Sequence, residues 1–339
     1  MRRLLPPAFL PAFLLLVVLR PVDAATPAAG PVASRTIILD TDIGDDIDDA
    51  FALAMILASP SLHLAAVSTS MGDTALRARL TRRFLRAAGR TDIPVLAGPS
   101  TAPGTVFTQA EWARAEPPLS GGEPDAVRGM LALLRRAPDR SVTLVALAPL
   151  TTVGAMIARD PATFRRLAGV VMMGGSIARG YGAAAGTTGP TPSREYNIEK
   201  DPAGLRALLG SGVPVTLFPV DSTEIALERD DRAPIMAQPT GVGRALASLY
   251  ALWKRDSTRG DTPVLFDVVP VASLLRPQTC KPSPLRLRVD DDGMTVSVPG
   301  PADVSACLTS DRASVLSVVT SLLAPDRREA GPGPGVRRP

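Results

Sequence analysis

The stretch Asp40-Thr-Asp42-Ile-Gly44-Asp45-Asp46-Ile-Asp48-Asp49 lies between two apolar runs, and that placement narrows the fold. Before it, Thr36-Ile-Ile-Leu39 has the length and β-branched content of a buried strand. After it, Ala50-Phe-Ala-Leu-Ala-Met-Ile-Leu57 reads as a helix. A strand that passes into a helix through an acidic turn is the usual place for a ligand site in an open α/β sheet. Like charges at this density repel unless a cation neutralises them, and hard oxygen ligands suit calcium or magnesium. A solvated turn in which Asp48 or Asp49 caps the helix is the plainer account. It leaves Asp40 and Asp42, at the end of an apolar strand, without a reason.

The rest of the chain alternates in the same way. Strands are expected over 36–41, 62–69, 93–97, 142–147, 169–173 and 213–218. Helices are expected over 48–58, 74–88, 124–137, 151–159, 201–210, 241–254 and 311–323. Alternation of this kind predicts an open, mostly parallel (mixed) sheet flanked by helices on both faces. A late hairpin is expected from 285–289 and 294–298, split by Asp-Asp-Asp-Gly. The Pro/Gly-rich segment 99–123 reads as a loop over the ligand edge of the sheet.

At 339 residues, 45% hydrophobic and 21% charged, the chain can bury one large core, placed at 35–324. Residues 325–339 lack the apolar content to pack and read as a disordered tail. The net charge of +4 comes almost wholly from arginine, since Lys200, Lys254 and Lys281 are the only lysines. Arginines such as those in 76–84 read as solvated helix surface. No basic run alternates with aromatics, which excludes a nucleic-acid stripe.

The N-terminus has a charged start, an apolar run over 8–19, and Val22-Asp-Ala24 as a small-residue cleavage site. Residues 1–24 are therefore expected to be a signal peptide cleaved near Ala24. The mature protein is expected to be exported, periplasmic or extracellular, without a stable membrane anchor. Pro11 interrupts the apolar run, which is short for a spanning helix. Cys280 and Cys307 are the only cysteines; pairing and two separate thiols both remain open.

Three further islands set polar residues beside apolar strands: 145–152, 170–176 leading to Thr191-Pro-Ser-Arg-Glu195-Tyr196-Asn197, and 265–277. Taken with the acidic turn, these resemble the inosine–uridine-preferring nucleoside hydrolases in order and spacing, from about residue 36 to about 320. The resemblance implies a nucleoside hydrolase-like α/β fold and hydrolysis of the N-glycosidic bond of ribonucleosides. It implies a calcium ion (Ca2+) held by Asp42, Asp49, Asp267 and the backbone carbonyl of Thr151. Asp48 matches the base that deprotonates the attacking water, with Asp46 as its competitor. Asn197, Glu195 and Met173 match residues at the sugar, and Asp40 stands one layer behind. A small nucleoside is the implied partner, and a homo-oligomer is left open.

The chain departs from the family pattern in four places. Asp45-Asp46 lengthen the acidic turn by two residues. Asp73 stands where many members carry Asn at the substrate, and Gly189 stands where an Asn contacts the ribose. Phe266 occupies the place of a His that helps the base leave, and the chain's only His, His63, reads as a structural strand residue. Trp112, Trp253, Tyr181 and Tyr250 are candidates to stack on a base, although ordinary packing accounts for each individually. Two rivals stand beside hydrolysis. A phosphatase using Asp40-Thr-Asp42 is disfavoured by Gly44 and the placement of the lysines. A calcium-containing ribose- or nucleoside-binding protein with little turnover is favoured by Phe266 and Gly189.

Overall fold

A computed structural model describes residues 34–182, 191–256 and 260–325. The leader 1–24, Gly189 and the tail beyond residue 325 fall outside these. Nine strands form one sheet: β1 (Arg35–Thr41), β2 (Leu62–Thr69), β3 (Val95–Ala97), β4 (Val142–Ala146), β5 (Gly169–Met173), β6 (Val215–Phe218), β7 (Ser283–Val289), β8 (Thr295–Val298) and β9 (Val304–Ala306). Their order is β3-β2-β1-β4-β5-β6-β9-β7-β8. The first seven positions in that order, from β3 through β9, pair in parallel. β7 pairs antiparallel with both β9 and β8, which makes the sheet mixed.

β1 is central, and both of its faces are covered. That is why it reads as a continuous apolar run and not as an alternating one. Ile37 and Leu39 enter one core, with the helices Asp48–Ala58, Val268–Leu275 and Arg312–Leu323. Ile38 enters the other, with the helices Ala126–Arg136, Thr151–Arg159 and Pro202–Leu209. β4 and β5 divide in the same way: Val145 and Val171 face the first core, and Leu144 and Val170 face the second. The helix that follows the acidic turn is buried from Asp48 through Ile56. A helix apolar all round is held by neighbours on every side; here these are β2 and the helices Val268–Leu275, Arg312–Leu323 and Gly241–Asp256.

The six expected strands and seven expected helices all form, within a few residues at their ends. The hairpin is present as β7 and β8. Beyond these stand β9, only three residues long, and several short helices; one of them, Ala110–Arg114, lies inside the expected loop 99–123. Cys280 and Cys307 form a disulfide with Cα atoms 6.1 Å apart. Among the described residues no helix is long and apolar enough to cross a membrane.

Candidate active site

β1 lies between β2, which follows it in the chain, and β4, which returns on its other side. The chain thus reverses its direction of travel across the sheet at the carboxyl ends of β1 and β4. Such a switch point leaves a crevice beyond the strands. The acidic turn fills it from β1, Leu147 from the end of β4 and Met173 from the end of β5. A cavity of about 400 Å³ opens there, and Asp42, Asp48, Asp49, Asn197 and Asp267 are on its wall.

Gly44 makes the turn sharp enough to return these carboxylates over the strand end. Its φ is +131°, and a Cβ there would collide with the Phe107 ring. Arg77 then grips the turn from behind. It is buried, donating from Nε to the Met71 carbonyl at 2.7 Å, from Nη1 to the carbonyls of Asp42 and Ile43, and from Nη2 to Asp45 at 2.9 Å. Its guanidinium also stacks 4.8 Å from the Phe107 ring centroid. The arginines of this helix were expected to be solvated. Arg77 is not, and Arg82 and Arg86 pair with Glu116, with Arg82 also on Glu123, holding the 99–123 segment in place.

One arginine cannot balance the acids it backs. Oxygens of Asp48, Asp49 and Asp267 all lie within 4.8 Å of one another, and all three residues are buried. Burial pushes each carboxyl well above its ordinary value, and the neighbouring aspartates, Asp42 among them, push further. Burial also raises Asp42, to about 7. The Thr41 hydroxyl donates to Asp49, and the Asp267 N–H donates to Asp48 at 3.3 Å. A compact all-oxygen set whose charges raise one another fits a hard divalent cation, which would remove the repulsion.

The opposite wall is built from β5 and the helix Tyr196–Lys200. Glu195 caps that helix, accepting from the N–H groups of Asn197 at 2.9 Å and Ile198 at 3.2 Å, and it also accepts from Gly175 N–H at 2.8 Å. Burial raises its carboxyl even so. Asn197 donates from Nδ2 to the carbonyls of Leu147 at 3.2 Å and Met173 at 3.3 Å, tying β4 to β5 at the cavity floor. Tyr181, Trp253 and Phe266 supply an aromatic side, with the Tyr181 ring edge-on to Phe266 at 5.8 Å.

Two expected site residues, Thr151 and Asp73, are placed elsewhere. Thr151 does not line the cavity; it opens the helix Thr151–Arg159, which commits its carbonyl to the helix ladder. The carbonyl that reaches the floor is that of Leu147. Asp73 is exposed and caps the helix Thr74–Ala87, accepting from Leu76 N–H at 2.9 Å. Asp40 lies behind the cavity, held by Ser68 at 2.5 Å and Ser70 at 2.9 Å, and burial lifts it to about 7. Asp46 is half-buried on the rim and accepts from Ile47 N–H at 2.7 Å. Of the four stacking candidates, Trp253 and Tyr181 face the cavity; Trp112 packs under Arg83 and Tyr250 beside Arg232. His63 is exposed on β2. Nothing in the sequence singles out Arg77 or Leu147. An apolar residue acting through its carbonyl carries no compositional signal, and a buried arginine looks like a surface one until its helix is docked.

A sequence profile described as inosine-uridine preferring nucleoside hydrolase matches residues 37–323. The pyrimidine-specific ribonucleoside hydrolase RihA of Shewanella sp. (strain MR-4) is 34% identical over 260 residues, covering 72% of this chain and 79% of that protein. The non-specific ribonucleoside hydrolase RihC of Escherichia coli O1:K1 / APEC is 28% identical over 284 residues, covering 80% and 89%. Among solved structures, the plant nucleoside hydrolase PpNRh1 superposes with a TM-score of 0.71 at 23% identity, over 86% of this chain and 99% of that one. A purine-preferring ribonucleoside hydrolase from Gardnerella vaginalis gives 0.71 at 19%, over 87% and 100%.

Proposed function

The chain belongs to the inosine-uridine preferring nucleoside hydrolase family, whose members cleave the N-glycosidic bond of ribonucleosides, and from that premise we propose an exported, calcium-dependent enzyme. The observation that carries the metal reading is the buried triad Asp48, Asp49 and Asp267 beside Asp42, facing a cavity large enough for a nucleoside. Asp49, Asp267 and Asp42 would hold the ion, with the Leu147 carbonyl in the place expected of Thr151. When bound, calcium lowers the pKa of a neighbouring water and orients the sugar hydroxyls.

The protein's own groups do the rest. Asp48 takes the proton from the attacking water. Its neighbours raise its basicity, and the Asp267 N–H fixes one of its oxygens. Asp46, on the rim, is the second candidate for that role. Asn197, Glu195 and Met173 face the sugar, and Phe266 with Tyr181 and Trp253 faces the base. Bond cleavage passes through an oxocarbenium-like state, as in other glycoside hydrolysis.

Export rests on the N-terminal pattern, and the Cys280–Cys307 pairing supports an oxidising compartment. One observation favours a second reading, a nucleoside-binding protein with little turnover: no histidine lines the cavity, and Phe266 occupies its aromatic side. A screen of the purified protein against purine and pyrimidine ribonucleosides, with and without chelator, decides between them. Cleavage that chelator removes and calcium restores is expected, and Asp49→Ala should abolish both ion and cleavage. Bound zinc, or no ion after calcium is added, refutes the metal assignment. Binding without cleavage establishes the second reading.

A further inference from the structure

The reaction asks for a proton at the departing base, because a purine or pyrimidine anion leaves poorly and a positioned donor is typically worth about 10²–10⁴-fold. The carboxylates of the acidic turn are committed to the water and the cation. On the aromatic side of the cavity, beside Phe266, the Tyr181 hydroxyl has surroundings that suit a donor. Tyr181 Oη accepts the Tyr196 N–H at 3.1 Å and donates to Glu195 Oε1 at 3.4 Å. The bond to Glu195 is long and cheap to give up. Glu195 does not depend on it, since it already accepts three backbone N–H bonds.

The segment that carries Tyr181 is fixed at several points. Buried Asp221 accepts from the N–H groups of Ile177 at 2.9 Å, Ala178 at 2.6 Å and Arg179 at 3.1 Å. Ser176 exchanges hydrogen bonds with Thr295, and Gly182 N–H donates to Glu224 at 2.7 Å. The ring itself rests edge-on against Phe266. A hydroxyl supported in this way holds its place on the cavity wall.

Building on the nucleoside hydrolase reading, we propose that Tyr181 is the proton donor to the leaving base. As the C1′–N bond breaks, its electron pair goes to the base nitrogen, and Tyr181 Oη gives that nitrogen its proton. The water oxygen bonds to C1′ and yields its proton to Asp48. The phenolate left behind keeps the Tyr196 N–H hydrogen bond. Tyr181, 37% exposed, regains a proton from solvent while Asp48 releases its own. The sum is nucleoside plus water to ribose plus base.

The test compares uridine and inosine with p-nitrophenyl riboside, whose leaving group needs no proton, using calcium-loaded full chain. Tyr181→Phe keeps the ring and removes the hydroxyl. It is expected to lower kcat on the nucleosides by about 10²-fold or more, and by at least about tenfold more than on the nitrophenyl substrate. Phe266→His, placed on Tyr181→Phe, puts a new donor on the same wall and is expected to recover part of the nucleoside rate. Equal losses on both substrates, or no loss on nucleosides, overturn the assignment. A wild type that cleaves the nitrophenyl substrate but no nucleoside overturns it too, while leaving the hydrolase reading in place. A wild type that cleaves neither refutes that reading, and the inference with it.

Discussion

Two turns, after β1 and after β5, solve opposite problems. In the acidic turn after β1, a buried cation, Arg77, donates to the carbonyls of Asp42 and Ile43. In the glycine turn after β5, a buried carboxyl group, Asp221, accepts from three backbone N–H groups. In both, one side chain replaces the partners that regular secondary structure would have given the backbone. The difference lies in what remains. The glycine turn is satisfied from within. The acidic turn still has Asp42, Asp48 and Asp49 buried together, with Asp267 added from the far end of the domain. Such a site is complete only with something positive from outside.

The largest effect should therefore come from withholding the ion and changing pH. Asp40 and Asp42 are raised from an unfolded value near 4 to about 7 in the folded state, chiefly by burial. The folded chain then holds protons that the unfolded chain has lost. Stability is fully present below about pH 4 and declines as pH rises through 7, by at most about 4 kcal/mol for each such group. Thermal melts of chelated protein should show Tm falling between pH 5 and pH 8, and added calcium should raise it more at pH 8. A Tm independent of pH without the ion would erase the contrast between the turns.

Next, Arg77→Met should cost about 3–5 kcal/mol, because it removes the charge paired with Asp45 and leaves buried carbonyls of Met71, Asp42 and Ile43 without this donor; denaturant unfolding measures it. Asp221→Ala should cost less, about 2–3 kcal/mol, since it strands neutral N–H groups and no charge. Its effect on Tm should be the same with and without calcium. Asp73→Ala should be the smallest change, about 1 kcal/mol from a lost helix cap. Its kcat/KM should match wild type, and a large loss there would return Asp73 to the substrate side.

What the sequence disclosed follows from how far each signal travels along the chain. β1, the helix after it and their acidic junction are legible because period, length and charge all lie within about twenty residues. β9 was invisible: three residues, Val304–Ala306, become a strand only because β6 and β7 present edges to them. The carboxylates were readable by their chemistry, but it was not readable that the Leu147 carbonyl reaches the cavity floor while Thr151 enters a helix. A backbone carbonyl is identical in every residue, and only the end of β4 decides which one faces the cavity. Asp221 looked like any other aspartate because its partners lie more than forty residues away.

Asp48 and Asp267, whose oxygens share the triad, are separated by 219 residues of chain. A ribosome delivers the first long before the second, so the emerging polypeptide cannot assemble the ion site until nearly the whole domain has been made. Contacts of such long range are closed late, after the loop entropy between them has been overcome. An ion bound there acts on the finished molecule: it slows opening and leaves the rate of assembly almost untouched. Slow opening lengthens the life of a folded protein wherever proteases attack only its opened form.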